Sequence, residues 1–198
     1  MKKITLILLT IGISTTFLNA QIAEKAEDIS PLLIGETIPS VELITPEGDL
    51  KTTTSIFAEK PTVVMIYRGG WCPFCNTHLS EIQNAQKNIL KLGYQIIAIS
   101  PDSPKNLQTT DKKDKLDYSL YSDADGTLIK ALGVTYIAPG KYTSMLSEMS
   151  GGKNSEGFLP VPSLFVVDTT GKILFEYINP DYKVRISDKL LLAVLKEL

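Results

Sequence analysis

The chain reads as an α/β protein with a central mixed β-sheet flanked by helices, and three features predict it. Residues 63–67 form a short apolar, β-branched run bounded by Pro61 and the Gly69-Gly70 pair, the pattern of a buried strand. After Cys72 the apolar period changes. Leu79, Ile82, Ile89 and Leu92 recur at helical spacing until Gly93, and residues 94–100 return to a strand, so one right-handed βαβ unit covers about 60–100. Finally, residues 163–168 and 172–178 flank the turn Thr169-Thr170-Gly171, and Ser187 caps a closing helix carrying Leu190, Leu191, Val194 and Leu195.

The remaining elements follow in order. Met1-Lys2-Lys3, the apolar residues 4–18 and Asn19-Ala20 have the charged start, apolar middle and small end of a secretory signal peptide, with cleavage expected after Ala20. The run is short and Thr/Ser-diluted for a membrane span, and no cysteine near the cut offers a lipid anchor. The product is expected to be exported and soluble, in a periplasm-like or extracellular space. Residues 21–31 read as a polar linker or loose helix, and one domain is expected over 32–198. An N-terminal β-hairpin is predicted from residues 41–44, the turn Thr45-Pro46-Glu47-Gly48 and residues 50–53. A charged helix is expected to about residue 115, then a strand over 118–121, the turn Asp123-Ala124-Asp125-Gly126 and a short helix over 127–132. Residues 137–160 read as an inserted lid or loop in which Met145, Leu146 and Met149 form one helical turn against the strand-to-helix corner.

Composition excludes some functions. Loss of residues 1–20 leaves 18 basic against 22 acidic residues, a net charge of about −4. A mildly acidic chain without a basic cluster is no candidate for nucleic acid.

The two cysteines, Cys72 and Cys75, carry the chemistry. Pro73 suits the first helical position, so Cys72 is expected as the N-cap, with free N–H groups of the first turn pointing back at its sulfur. Those donors and the helix dipole lower a thiol pKa, often to roughly 3.5–7.5 in C-x-x-C sites. Cys75, three residues on, is within reach for a disulfide. A structural staple between them would close too short a loop to constrain the unfolded chain, so the pair is read as redox-active. Cys72 would attack a disulfide and Cys75 would resolve the mixed disulfide. Arg68 either lowers the Cys72 pKa or pairs with a surface acid. His78, the one histidine, either assists proton transfer near neutral pH or is a partly exposed bystander. No cofactor and no metal are expected: Cys72, Cys75 and His78 fall short of a zinc set, and Asn76 stands where covalent haem needs histidine.

Strand, C-x-x-C helix, strand, helix and a final hairpin preceded by a proline is the order of the thioredoxin fold. The chain also resembles the peroxiredoxin-like members of the alkyl hydroperoxide reductase and thiol-specific antioxidant family. The likeness rests on Ile34-Gly35-Glu36-Thr37-Ile38-Pro39, Ile99-Ser100-Pro101-Asp102-Ser103, Ser122-Asp123-Ala124-Asp125-Gly126, Phe165-Val166-Val167-Asp168 and Gly171-Lys172-Ile173. Tyr67-Arg68-Gly69-Gly70-Trp71-Cys72-Pro73-Phe74-Cys75 is similar to the subgroup with C-x-x-C. In the family register Arg68 replaces the motif's Pro, Cys72 its Thr, and Cys75 matches the peroxidatic Cys, while the catalytic Arg falls near Pro162. The resemblance thus implies that peroxide activation loses its Pro, Thr and Arg. It also implies that Trp71 shields the pair and lines a substrate groove, and that Val161-Pro162 forms a cis-proline segment offering backbone groups to a bound peptide.

The leading expectation is an exported dithiol/disulfide oxidoreductase of antioxidant type. Its substrates would be protein or small-molecule thiols and disulfides, with a thioredoxin-like or membrane redox partner. The second is a thiol-dependent peroxidase in which Cys75 attacks peroxide and Cys72 resolves. A copper(I) carrier is the non-enzyme alternative, since thiolates suit that ion.

Overall fold

The computed structural model describes residues 22–114 and 116–198; the expected signal peptide over 1–20 lies outside the described residues. The hairpin β1 (Glu42–Ile44) and β2 (Leu50–Thr52) leads into a short helix α1 (Thr53–Phe57), whose N-cap Thr52 accepts from Ser55 N–H. Then come β3 (Thr62–Ile66), α2 (Pro73–Lys91), β4 (Gln95–Ser100), α3 (Pro104–Asp114), β5 (Ser119–Ser122) and α4 (Thr127–Ala131). The chain closes with β6 (Thr135–Ile137), α5 (Thr143–Met149), β7 (Phe158–Pro160), β8 (Ser163–Val167), β9 (Ile173–Ile178) and α6 (Asp188–Glu197).

Seven strands form one mixed sheet in the order β2-β1-β5-β4-β3-β8-β9. β3, β4 and β5 run parallel, as the βαβ unit requires, and β8 pairs antiparallel with β3 through Thr62↔Val167 to Ile66↔Ser163. Alternation along β3 divides two cores. Val63 and Met65 pack with Leu79, Ile82, Leu191 and Leu195 under α2 and α6, whereas Val64 and Ile66 pack with Phe57, Leu128 and Ile129 under α1 and α4. Ser187 Oγ accepts the Leu190 N–H, as expected of the cap of α6.

Two stretches differ from expectation. Residues 22–31 are tied to the domain: Ala23 bridges Tyr136, with its N–H on the Thr135 carbonyl at 3.1 Å and its carbonyl on the Ile137 N–H at 2.8 Å. A polar segment satisfies its backbone on an open strand without an apolar pattern to announce it. Residues 137–160 hold more than a loop. β6 and β7 pair antiparallel, and α5 does contain Met145, Leu146 and Met149, with Leu146 and Met145 in a small cluster that Trp71 joins.

Candidate active site

The fold brings the end of β3, the start of α2 and the segment before α6 to one corner. Gly69 turns the chain at φ +133, where a Cβ would strike Trp71 Nε1 and Asp102 Oδ1; a Cβ on Gly70 would strike the Thr110 hydroxyl. Two glycines are therefore needed for the strand to reach the helix start. Asp102, two residues past the end of β4, accepts the Gly70 N–H at 2.7 Å and pins the turn.

Cys72 is the N-cap of α2 with Pro73 at N1, as expected. Its carbonyl, rather than its sulfur, takes the Cys75 and Asn76 N–H groups at 3.0 and 3.1 Å, and the sulfur makes no formal cap bond. The thiol is nonetheless lowered from 9.0 to about 6. The largest cause is the Cys75 thiol donating to it, which outweighs burial, and the nearby Cys75 N–H, Arg68 and Arg185 add to it. Cys75 moves the opposite way: burial and its bond to Cys72 push it well up. The reduced pair thus holds one thiolate, on Cys72. Both cysteines are free and 1 % exposed.

The structure corrects four expectations about the surrounding residues. First, the Val161–Pro162 bond is trans, since no described peptide is cis. The Val161 N–H is bonded to the Val134 carbonyl and its own carbonyl takes the Ser163 hydroxyl, both at 2.8 Å, so its backbone groups serve the fold and are not offered to a peptide. Pro162 stands in the wall of a cavity of about 10 Å³ that Tyr67, Cys75, His78, Ser163 and Arg185 also line, on the Cys75 side of the pair. Second, His78 is buried. Burial, then repulsion from Arg185, pushes it down to about 4, so it is neutral near pH 7 and is neither a titrating proton carrier nor an exposed bystander.

Third, among the described residues Arg68 pairs with no surface acid. It is 3 % exposed, and its guanidinium carbon lies 4.9 Å from the Trp71 ring, 5.5 Å from Tyr142 and 4.4 Å from Tyr182. Trp71 is itself half-buried against Tyr142, with ring centroids 5.7 Å apart, and covers this flank of the pair. Fourth, the guanidinium missing from the Pro162 position is supplied from elsewhere. Arg185 Nη2 reaches Cys75 Sγ at 3.9 Å. Arg185 escaped notice in the sequence because only the packing of the segment before α6 carries it to the corner.

A mixed sheet of this order with a reduced, charge-stabilised dithiol at the start of its central helix defines a thiol oxidoreductase of thioredoxin-like fold. The comparisons with known proteins narrow the class. The AhpC/TSA family model matches residues 34–175, and the chain belongs to that family. It is 26% identical over 169 residues to peroxiredoxin Bcp of Escherichia coli (strain K12), covering 85% of this chain and 99% of that protein. It is 25% identical over 170 residues to 1-Cys peroxiredoxin PER1 of Triticum aestivum, covering 82% of this chain and 72% of that protein. Among solved structures, reduced Prx3 of Vibrio vulnificus in complex with H2O2 superposes with a TM-score of 0.70 at 17% identity, over 83% of this chain and 99% of that one. Peroxidoxin BcpB of Mycobacterium tuberculosis gives 0.67 at 20%, over 83% and 97%. Family membership makes the protein an oxidoreductase and sets the copper carrier aside.

Proposed function

We propose that the protein is a thiol-dependent peroxidase acting outside the cytoplasm, with Cys72 as the attacking sulfur and Cys75 as the resolving thiol. The observation that carries this reading is the Cys72 thiol at about 6, flanked by Arg68 and Arg185, in a chain of the AhpC/TSA family. The assignment reverses the one the family register implies. A thiolate is the nucleophile, and burial keeps Cys75 protonated.

The Cys72 thiolate attacks the terminal oxygen of ROOH, the O–O bond breaks, and RO⁻ leaves and takes a proton. Cys72 becomes a sulfenic acid. Cys75 then attacks the Cys72 sulfur, its thiol proton departs with the hydroxyl as water, and a Cys72–Cys75 disulfide forms. Two electrons from an external thiol pair, on a thioredoxin-like or membrane partner, restore the dithiol. The two guanidiniums favour the thiolate and the developing negative charge on the leaving oxygen.

Stopped-flow mixing of the reduced protein with hydrogen peroxide tests the reading. Rapid, stoichiometric loss of two thiols per chain is expected. Slow loss with peroxide, alongside fast exchange with a model protein disulfide, would instead favour the dithiol/disulfide oxidoreductase. That second reading draws on one feature, two thiols of opposed pKa on one helical turn, which suits disulfide exchange as well.

Export belongs to the same proposal, supported by Lys2-Lys3, the apolar residues 4–18 and Ala20. Fractionation of bacterial cells expressing the full chain is expected to recover a shortened product outside the cytoplasm; an uncut cytoplasmic product would overturn it.

A further inference from the structure

The charges at this corner do not balance. Arg68 is almost wholly buried, yet among the described residues the ion pair within 4 Å is Lys130–Glu156, far from it in the chain. Arg68 Nε is buried without a hydrogen-bond partner. Among the described residues Arg185 donates to the Val184 carbonyl and to Cys75 Sγ. Two guanidiniums therefore face a cysteine pair that carries one negative charge when reduced and none as a disulfide. A buried cation is ordinarily paired, because leaving it unpaired costs several kcal/mol.

The surroundings of Arg68 have a definite shape. Trp71, Tyr142 and Tyr182 wall the planar guanidinium, contacts that suit a cation and hold its fork of N–H donors in place. Such a fork matches the two oxygens of a carboxylate. Beside it the surface turns apolar. Phe74 is 43 % exposed and meets Tyr182 edge-on at 5.6 Å, and Val184 is 42 % exposed.

We propose that Arg68 and its aromatic walls form a carboxylate subsite next to Cys72, which takes a small organic carboxylate whose apolar part rests on Phe74. The carboxylate is carried either by the hydroperoxide or by the thiol reductant. The identity of these co-substrates rests on the proposed peroxidase, but the subsite is tested without turnover.

Alkylation of Cys72 is compared for iodoacetate, an anion, and iodoacetamide, its neutral counterpart, at one pH and ionic strength. The ratio of the two rates cancels the fraction of Cys72 that is thiolate, so a role for Arg68 in the thiol pKa alone leaves it unchanged. Arg68→Gln is expected to lower the iodoacetate-to-iodoacetamide ratio about tenfold, as for loss of one charge-assisted hydrogen bond. Arg68→Lys should recover part of it. Hexanoate should slow iodoacetate alkylation where hexanol does not, and should change the emission of Trp71, the chain's one tryptophan, in a saturable way. An unchanged ratio in Arg68→Gln overturns the subsite. Should that variant not fold, the wild type decides: a Trp71 response absent with hexanoate, or equal for hexanol, overturns it.

Two further arms assign the source. A carboxylate-bearing hydroperoxide is set against tert-butyl hydroperoxide, and 3-mercaptopropionate against 2-mercaptoethanol as reductant of the Cys72–Cys75 disulfide. A preference for the anion in one arm identifies the carrier, and no preference in either overturns the proposal. Absence of peroxide turnover with hexanoate binding intact would count against the peroxidase and leave the subsite standing.

Discussion

Replacing Cys72 with serine is expected to lower the rate of reaction with peroxide by more than about a thousandfold, whereas Cys75→Ser should leave the first step and stop the second. The expectation follows from where the single thiolate sits. Cys75 is the largest influence holding the Cys72 thiol at about 6, and it acts as a hydrogen-bond donor. A serine hydroxyl keeps that donor, so Cys75→Ser should still attack peroxide and accumulate a Cys72 sulfenic acid, which dimedone traps at one site by mass. Cys75→Ala lacks the donor, and its midpoint for thiol reactivity should move up from about 6 toward the ordinary 9.0. In the wild type the rate should follow the thiolate fraction, level above about pH 7 and falling tenfold per unit well below pH 6. The converse pattern, an inert Cys75→Ser and a reactive Cys72→Ser, would return the attack to Cys75 and refute Cys72 as the nucleophile.

What the sequence made legible was whatever has a local period or a local breaker. β3, the glycine turn and α2 were readable because strand, turn and helix follow one another within 30 residues, each with its own pattern, and Cys72 came with them. Some of the remainder was present but passed over. Cys75, His78, Ile82, Ala85 and Ile89 are spaced by three and four, which is a buried stripe, and His78 lies within it. The rest had no local signal. β6 and β7 are three residues each, and one of them ends in Pro160, so their pairing is decided by the tertiary fold. Arg185 reaches Cys75 across 110 positions of chain, a contact that no spacing announces. Pro162 shows the limit of a resemblance: it shares a cavity wall with Cys75, while its peptide bond is the lower-energy trans isomer.

Asp102→Asn is expected to raise stability at pH 8 relative to pH 5 by about 2–3 kcal/mol compared with the wild type. Asp102 is 1 % exposed, and burial raises its carboxyl from 3.8 to about 7 despite the bond it accepts from Gly70 N–H, which acts the other way. Unfolded, the same carboxyl ionises near its ordinary value. Between about pH 4 and pH 7 the folded Asp102 therefore holds a proton that the unfolded one has released, and its contribution to stability falls as pH rises through that window and is flat on either side. Asp123, pushed up to about 6 mainly by burial, has the same sign, whereas His78 at about 4 and Cys72 at about 6 have the opposite sign, so the effect of Asp102 is read as the difference between the slopes of variant and wild type. Asparagine retains an oxygen for Gly70 N–H and carries no charge, so it removes the titration with little change of shape. Urea unfolding at pH 5, 6, 7 and 8 measures it; a slope equal to that of the wild type would show that Asp102 does not titrate in the folded chain. The position couples stability to the site. Ionisation weakens the fold as a whole while strengthening the one bond from Asp102 to the turn that presents Cys72, because a carboxylate accepts an N–H more strongly than a neutral acid does.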